Sequence, residues 1–323
     1  MPSEINRRTF LGAFSASTAM MTAARTAKDQ PYSGVFIIMQ TPFLNSLEID
    51  EESLRREADF LVRCGVHGMV WPAGAGETQT LSYAERMKYA PSVVQEVKGR
   101  TPVVIGVHGA NKFEAAEYAR HAEKIGADAM LALSQTDGTT DPDVLTEYFT
   151  AITSASHLPL FIQVSSPALT VDYLISLAKK LPTFRYVKDE QAPVPKRVSR
   201  FVAEAKGLLT PMTGGGSRNL FNEMARGSRG TMPGAGFADI QAKIWDWYHE
   251  GKVKEARDLF GKMLMMAVLE QNVTYVLQKE ILRRRGVFKT TWMRSTRKFT
   301  MDAGDLHELD DIFDVLRPYF RVA

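Results

Sequence analysis

The chain has 323 residues, 45% of them hydrophobic, with 40 Lys and Arg against 37 Asp and Glu for a formal net charge of +3. That length and apolar content suit one large domain or a domain with an appendage, and the near balance of charge argues against a nucleic-acid or anionic-membrane partner. Cys64 is the only cysteine, which excludes an intrachain disulfide and a cysteine-based metal site, so stability has to come from packing.

The first segment stands apart from the rest. Asn6-Arg7-Arg8-Thr9-Phe10-Leu11-Gly12 precedes a weakly apolar run rich in Ala, Ser, Thr and Met that reaches Ala27, the pattern of a twin-arginine export leader. The run is too short and too polar to span a bilayer as a permanent helix. Residues 1–27 are therefore expected to be a signal peptide, and the mature protein a periplasmic one with no membrane contact after export. Arg7, Arg8 and Arg25 against Glu4 give the leader +2 of the whole-chain +3, which leaves about +1 for the remainder.

Beyond the leader, short apolar runs alternate with longer amphipathic stretches. The runs fall at 34–41, 68–72, 102–109, 129–134, 159–164, 185–189, 208–213 and 230–232, and helical periodicity fills 51–63, 83–97, 112–125, 143–156, 171–180, 195–205 and 217–225. Eight strand–helix repeats spaced in this way predict an α/β fold of the (β/α)8 TIM barrel type. After the eighth run the pattern is helical throughout, from 240 to about 285 and again over 306–316, more than a barrel needs for closure. The expected organisation is a barrel over 32–235, followed by a closing helix and a C-terminal helical layer over 236–323 that serves subunit packing.

Chemistry in such a barrel gathers at the C-terminal ends of the strands. Lys188 lies in Phe184-Arg185-Tyr186-Val187-Lys188-Asp189-Glu190, where the sixth run passes into charge. An amine withdrawn from water at that place keeps some neutral form available to attack a carbonyl, whereas the plain alternative is a snorkelling surface lysine. The same rim collects His108, Ser134 to Asp137, Ser165 and Ser166, the Gly74-Ala75-Gly76-Glu77 turn and the Gly214-Gly215-Gly216 turn. His67, His121, His157, His249 and His307 show no metal-ligand spacing, so no metal site is expected. Met263, Met265 and Met266 read as core, and Arg283-Arg284-Arg285 before Gly286 reads as a helix C-terminus.

Over nearly all of residues 32–320 the chain resembles the dihydrodipicolinate synthase and N-acetylneuraminate lyase family, the pyruvate-type class I aldolases. The resemblance rests on Thr41-Pro42-Phe43, on Gly76-Glu77 followed by Thr80-Leu81-Ser82 and Glu85-Arg86, on Gly109-Ala110-Asn111, on Val187-Lys188-Asp189 at the family's Schiff-base lysine, and on Lys279-Glu280 and Arg284-Arg285-Gly286-Val287 in the helical tail. It implies that Lys188 condenses with a 2-keto acid to an iminium, whose nitrogen accepts the electrons released when a neighbouring bond breaks. It implies no cofactor and a homotetramer built as a dimer of dimers.

The departures matter as much. The family usually carries two hydroxyl residues before the Gly-Glu of the second turn, where this chain has Ala73-Gly74-Ala75-Gly76-Glu77. Backbone N–H groups of Ala75 and Gly76 are left as the candidate carboxylate nest. The family tyrosine after the fifth strand falls at or near Ile162, the synthase arginine near Pro167, and the aromatic pair after the fourth strand becomes Gln135-Thr136-Asp137-Gly138. The expected function is thus a Schiff-base lyase, either aldolase or hydro-lyase, acting on a 2-keto acid of the sugar-acid kind rather than a standard dihydrodipicolinate synthase. The alternative is a barrel of reduced catalysis that binds a small keto or sugar acid. Tyr186, two residues before Lys188 and so on the same strand face, is the candidate to replace the missing relay. Gly74, Ala75, Gly76, His108, Ser134, Asp137, Gln163, Ser165, Gly214 and Gly215 are the candidate substrate contacts.

Overall fold

The computed structural model describes residues 32–134, 139–295 and 300–322, so the leader and the Asp137 segment lie outside the described residues. Eight parallel strands close into a barrel in chain order, with the last paired to the first. They are β1 (Gly34–Ile38), β2 (Gly68–Trp71), β3 (Val103–Gly106), β4 (Ala129–Ala132), β5 (Leu160–Val164), β6 (Phe184–Asp189), β7 (Thr210–Thr213) and β8 (Gly230–Thr231). Nearly every strand residue is buried. A parallel strand covered on both faces has no wet side, which is why these segments read in the sequence as unbroken apolar runs and not as alternation.

Between the strands stand α1 (Glu51–Arg63), α2 (Tyr83–Val97), α3 (Lys112–Lys124), α4 (Pro142–Ala155), α5 (Val171–Lys180), α6 (Val194–Glu204) and the short α7 (Leu220–Met224). Local chemistry starts most of them. Asp50, Asn111, Asp141 and Thr170 each accept a backbone N–H of the first turn, and Ser82 forms a reciprocal capping box with Glu85, satisfying donors that a helix leaves orphaned.

The C-terminal part is α8 (Ala238–His249), α9 (Val253–Val273), α10 (Val276–Arg284) and α11 (Ala303–Leu316). The expectation of one helical run from 240 to 285 is corrected here. Gly251 at φ 84° and Thr274 at φ 54° enter the left-handed region and break it into three. α10 ends at the predicted arginines, with Gly286 at φ 71° beyond them. Arg285 then turns inward and clasps both carboxylate oxygens of Asp239 on α8 at 2.7 Å.

The main core lies between the outer barrel face and the helices and includes Leu160, Ile162, Val164 and Val187. Inside the barrel an aromatic layer forms instead: Phe161 stacks on Tyr186 at 4.3 Å between ring centres, and Phe36 approaches Phe161 at 6.0 Å. This layer closes the barrel beneath Lys188.

Candidate active site

The register of β5 against β6 sets the centre of the site. Phe161 pairs with Tyr186, Ile162 with Val187 and Gln163 with Lys188. Since successive side chains alternate faces, Phe161 and Gln163 face the barrel axis with Tyr186 and Lys188, while Ile162 joins the helix-facing core. The β5 residue that faces Lys188 is therefore Gln163, whereas Ile162, at or near which the family tyrosine falls by sequence, turns away from it. Tyr186 is not beside an opening left by Ile162. It sits one layer below Lys188, flat against Phe161 and 6% exposed.

Lys188 is 4% exposed. Its Nζ lies 3.4 Å from Oε1 of Glu190, the residue that follows the last residue of β6. The other carboxylate oxygen of Glu190 accepts the Gln163 amide at 2.6 Å, and Oε1 also accepts the Gly215 N–H at 3.4 Å. Burial pushes the Glu190 carboxyl up, but the Lys188 charge, the Gln163 amide and the Gly215 N–H outweigh it and leave the group below its ordinary range. The resting site is thus a lysine facing an ionised carboxylate.

Gly214 makes this arrangement possible. A Cβ there would stand 2.1 Å from Glu190 Oε1 and 2.6 Å from its Cγ, so only glycine leaves room for the inward carboxylate. The close backbone approach expected at Gly214 and Gly215 is used by a side chain of the protein itself.

His108 lies two residues past β3 and is 5% exposed. Burial, and then the charges of Arg86 and Lys188, push its imidazole down to about 3, so it is neutral at physiological pH. Neither ring nitrogen has a hydrogen-bond partner. Arg86 holds this corner by donating to the carbonyl oxygens of His108 at 2.7 Å and Gly106 at 2.9 Å. Oε1 of Gln163 is likewise buried without a partner. Such atoms are costly unless something binds to them.

The turn after β2 corrects one expectation. Gly74–Gly76 forms a 3₁₀ turn in which the Gly76 N–H donates to the Ala73 carbonyl at 2.9 Å. Gly76 therefore has no free donor for a carboxylate nest, and of the pair only Ala75 remains. Ser134 and Ser165 follow the ends of β4 and β5, half-buried and exposed respectively. Asp137 belongs to the segment outside the described residues.

Glu190 was not among the residues expected at the site, although the strand period of two that places Tyr186 on one side of Lys188 places Glu190 on the other. The junction of α9 and α10 was not expected there either. Burial raises the Tyr275 phenol, and the charges of Glu190 and Glu270 add to that. No chain-local signal connects residue 275 to residue 190.

Sequence and fold comparisons agree with the barrel fold. The chain is 32% identical over 202 residues to a 4-hydroxy-tetrahydrodipicolinate synthase of Bradyrhizobium diazoefficiens, covering 62% of this chain and 67% of the relative. It is 23% identical to an L-2-keto-3-deoxyarabonate dehydratase of Azospirillum brasilense, covering 82% of this chain and 87% of that one. Among solved structures, YagE, a prophage protein of Escherichia coli K12 in complex with pyruvate, superposes with a TM-score of 0.82 at 22% identity over 89% of this chain and 99% of its own. Residues 31–299 match the dihydrodipicolinate synthetase family, and the chain, a closed (β/α)8 barrel with a lysine on its sixth strand, belongs to that family of lysine Schiff-base lyases.

Proposed function

We propose that this protein is a Schiff-base lyase for a hydroxylated 2-keto acid, working by dehydration or aldol cleavage through Lys188. The observation that carries the reading is the buried Lys188 amine at the barrel mouth, 3.4 Å from a carboxylate that can take and return its proton. The nitrogen attacks the keto carbon, water leaves, and the iminium draws electrons from the adjacent bond.

A hydroxylated substrate fits the atoms left over. Oε1 of Gln163 can accept from a hydroxyl, and neutral His108 has one nitrogen to donate and one to accept. Standard dihydrodipicolinate synthesis fits poorly, because Ala73, Gly74 and Ala75 carry no hydroxyl and Gln163, not a tyrosine, faces Lys188 from β5. The dehydratase relative acts on a keto-deoxy sugar acid, which is the class proposed here.

The test is reductive trapping. Pyruvate, or a 3-deoxy-2-keto sugar acid, with borohydride should add a mass to the peptide that carries Lys188, and Lys188→Arg should abolish it because guanidinium cannot form the imine. A second reading has its own observation. An ammonium paired with Glu190 is already satisfied and could hold a ligand carboxylate without reacting; absence of any adduct across a panel of 2-keto acids would select that reading. Export through the twin-arginine leader to the periplasm, and assembly as a homotetramer, complete the proposal.

A further inference from the structure

We propose that Glu190 is the catalytic acid and base of this site, carrying the proton at the carbon next to the imine and so replacing the tyrosine that the chain lacks. The inference rests on the Schiff-base reading of Lys188. Once Lys188 has condensed with a keto acid, that carbon is two covalent bonds from Nζ. A carboxylate oxygen 3.4 Å from Nζ therefore faces the carbon whose hydrogen must move.

The position is built, not incidental. Gln163 and Gly215 hold one carboxylate oxygen each, and Gly214 omits the one side-chain carbon that would expel the group. Three other side chains are occupied or misplaced. Tyr186 lies a layer below and is stacked on Phe161. Glu77 is bound to Lys279 and to the backbone of Arg294 and Ser295. Glu270 accepts from Gln278 at 2.6 Å.

The steps balance without any outside reagent. Starting from the ammonium–carboxylate pair, one proton passes from Lys188 to Glu190, and the freed nitrogen pair forms the bond to the keto carbon. The former carbonyl oxygen leaves as water with one proton from nitrogen and one from Glu190, leaving the iminium beside an ionised Glu190. Glu190 then removes a proton from the adjacent carbon; that C–H pair becomes the C=C bond of the enamine, and the imine π pair returns to nitrogen. In heavy water the acid formed exchanges with solvent and returns deuterium to carbon.

The experiment follows the pyruvate methyl signal by proton NMR in deuterium oxide, with borohydride trapping run in parallel and each rate divided by the trapped fraction. Glu190→Gln keeps size and the Gly215 contact. It should still give the Lys188 adduct while exchange slows by about 100-fold or more, the scale of a lost general base. Glu190→Asp keeps a carboxylate one methylene farther away and should exchange faster than Glu190→Gln but slower than the parent; it decides the matter if the amide variant does not fold. Exchange at the parent rate in either folded variant overturns the proposal for Glu190 while leaving Lys188 untouched. No adduct in the parent protein with any 2-keto acid overturns the Schiff-base reading and this inference with it.

Discussion

Lys279 on α10 donates to Oε1 of Glu77 at 2.5 Å, and neither side chain is exposed to solvent. Glu77 stands in the turn after β2, 202 residues away, in the left-handed region at φ 60°. Its second oxygen accepts the N–H groups of Arg294 and Ser295, and Lys279 also donates to the Trp292 carbonyl. One buried pair therefore ties a barrel turn, a C-terminal helix and the chain beyond that helix. Gly76-Glu77 and Lys279-Glu280, two of the segments on which the family resemblance rests, are thus two ends of one bracket.

Replacing Lys279 by Met should cost about 3–5 kcal/mol, because it leaves Glu77 buried and uncompensated. The double variant Lys279→Met with Glu77→Gln should recover part of that loss. Urea unfolding of the three proteins reads the effect; a Lys279→Met variant as stable as the parent would show that the pair is not a structural bracket.

Glu223 offers a pH test. Burial raises its carboxyl, the nearby Asp189 charge adds to that, and the Thr213 hydroxyl at 2.6 Å opposes it, for a value of about 7 against an ordinary 4.5. The folded state thus holds this proton more tightly than the unfolded state. The resulting stability is fully present below about pH 4.5 and is lost as pH rises through about 7. Glu223→Gln stays neutral, so its stability relative to the parent should grow by about 3 kcal/mol between those limits. Equal pH dependence of melting in both proteins would contradict the assignment.

Tyr186→Phe separates packing from chemistry. With the phenol in the layer below Lys188, losing the hydroxyl should preserve the stack on Phe161 and most of the turnover. A loss of about 100-fold or more would return the phenol to the proton relay.

Export through the proposed leader should depend on Arg7 and Arg8. Changing both to Lys should retain the protein in the cytoplasm while the isolated variant keeps its fold, since both precede β1. Fractionation of cells reads the outcome, and undiminished periplasmic delivery would sink the idea.

The barrel was legible because its signals are local. Each strand is an apolar run of a few residues, each helix has its own amphipathic period, and caps such as Ser82 with Glu85 satisfy first-turn donors within a few residues. Lys188 was a candidate from its place at the end of the sixth run, and the resemblance of Val187-Lys188-Asp189 to the family's lysine segment singled it out. β8 is two residues long and pairs with β1 only through Gly34 with Gly230 and Val35 with Thr231, partners far apart in the chain, so only the count of repeats pointed to it.

Tertiary structure decided what surrounds the lysine. Whether Ile162 or Gln163 faces Lys188 depends on the pairing of β5 with β6, which shifts by one residue between Leu160 and Phe161, and a shift of one residue reverses which side chains point inward. The sequence shows Glu190 as one more charge after a strand; it becomes the partner of Lys188 only because Gly214, brought alongside from the end of β7, leaves room for it. The sequence by itself determined the repeats, the fold and the lysine, since short-range patterns encode them. Only the folded chain decided the lysine's partners, because those contacts join residues whose closeness no local pattern records.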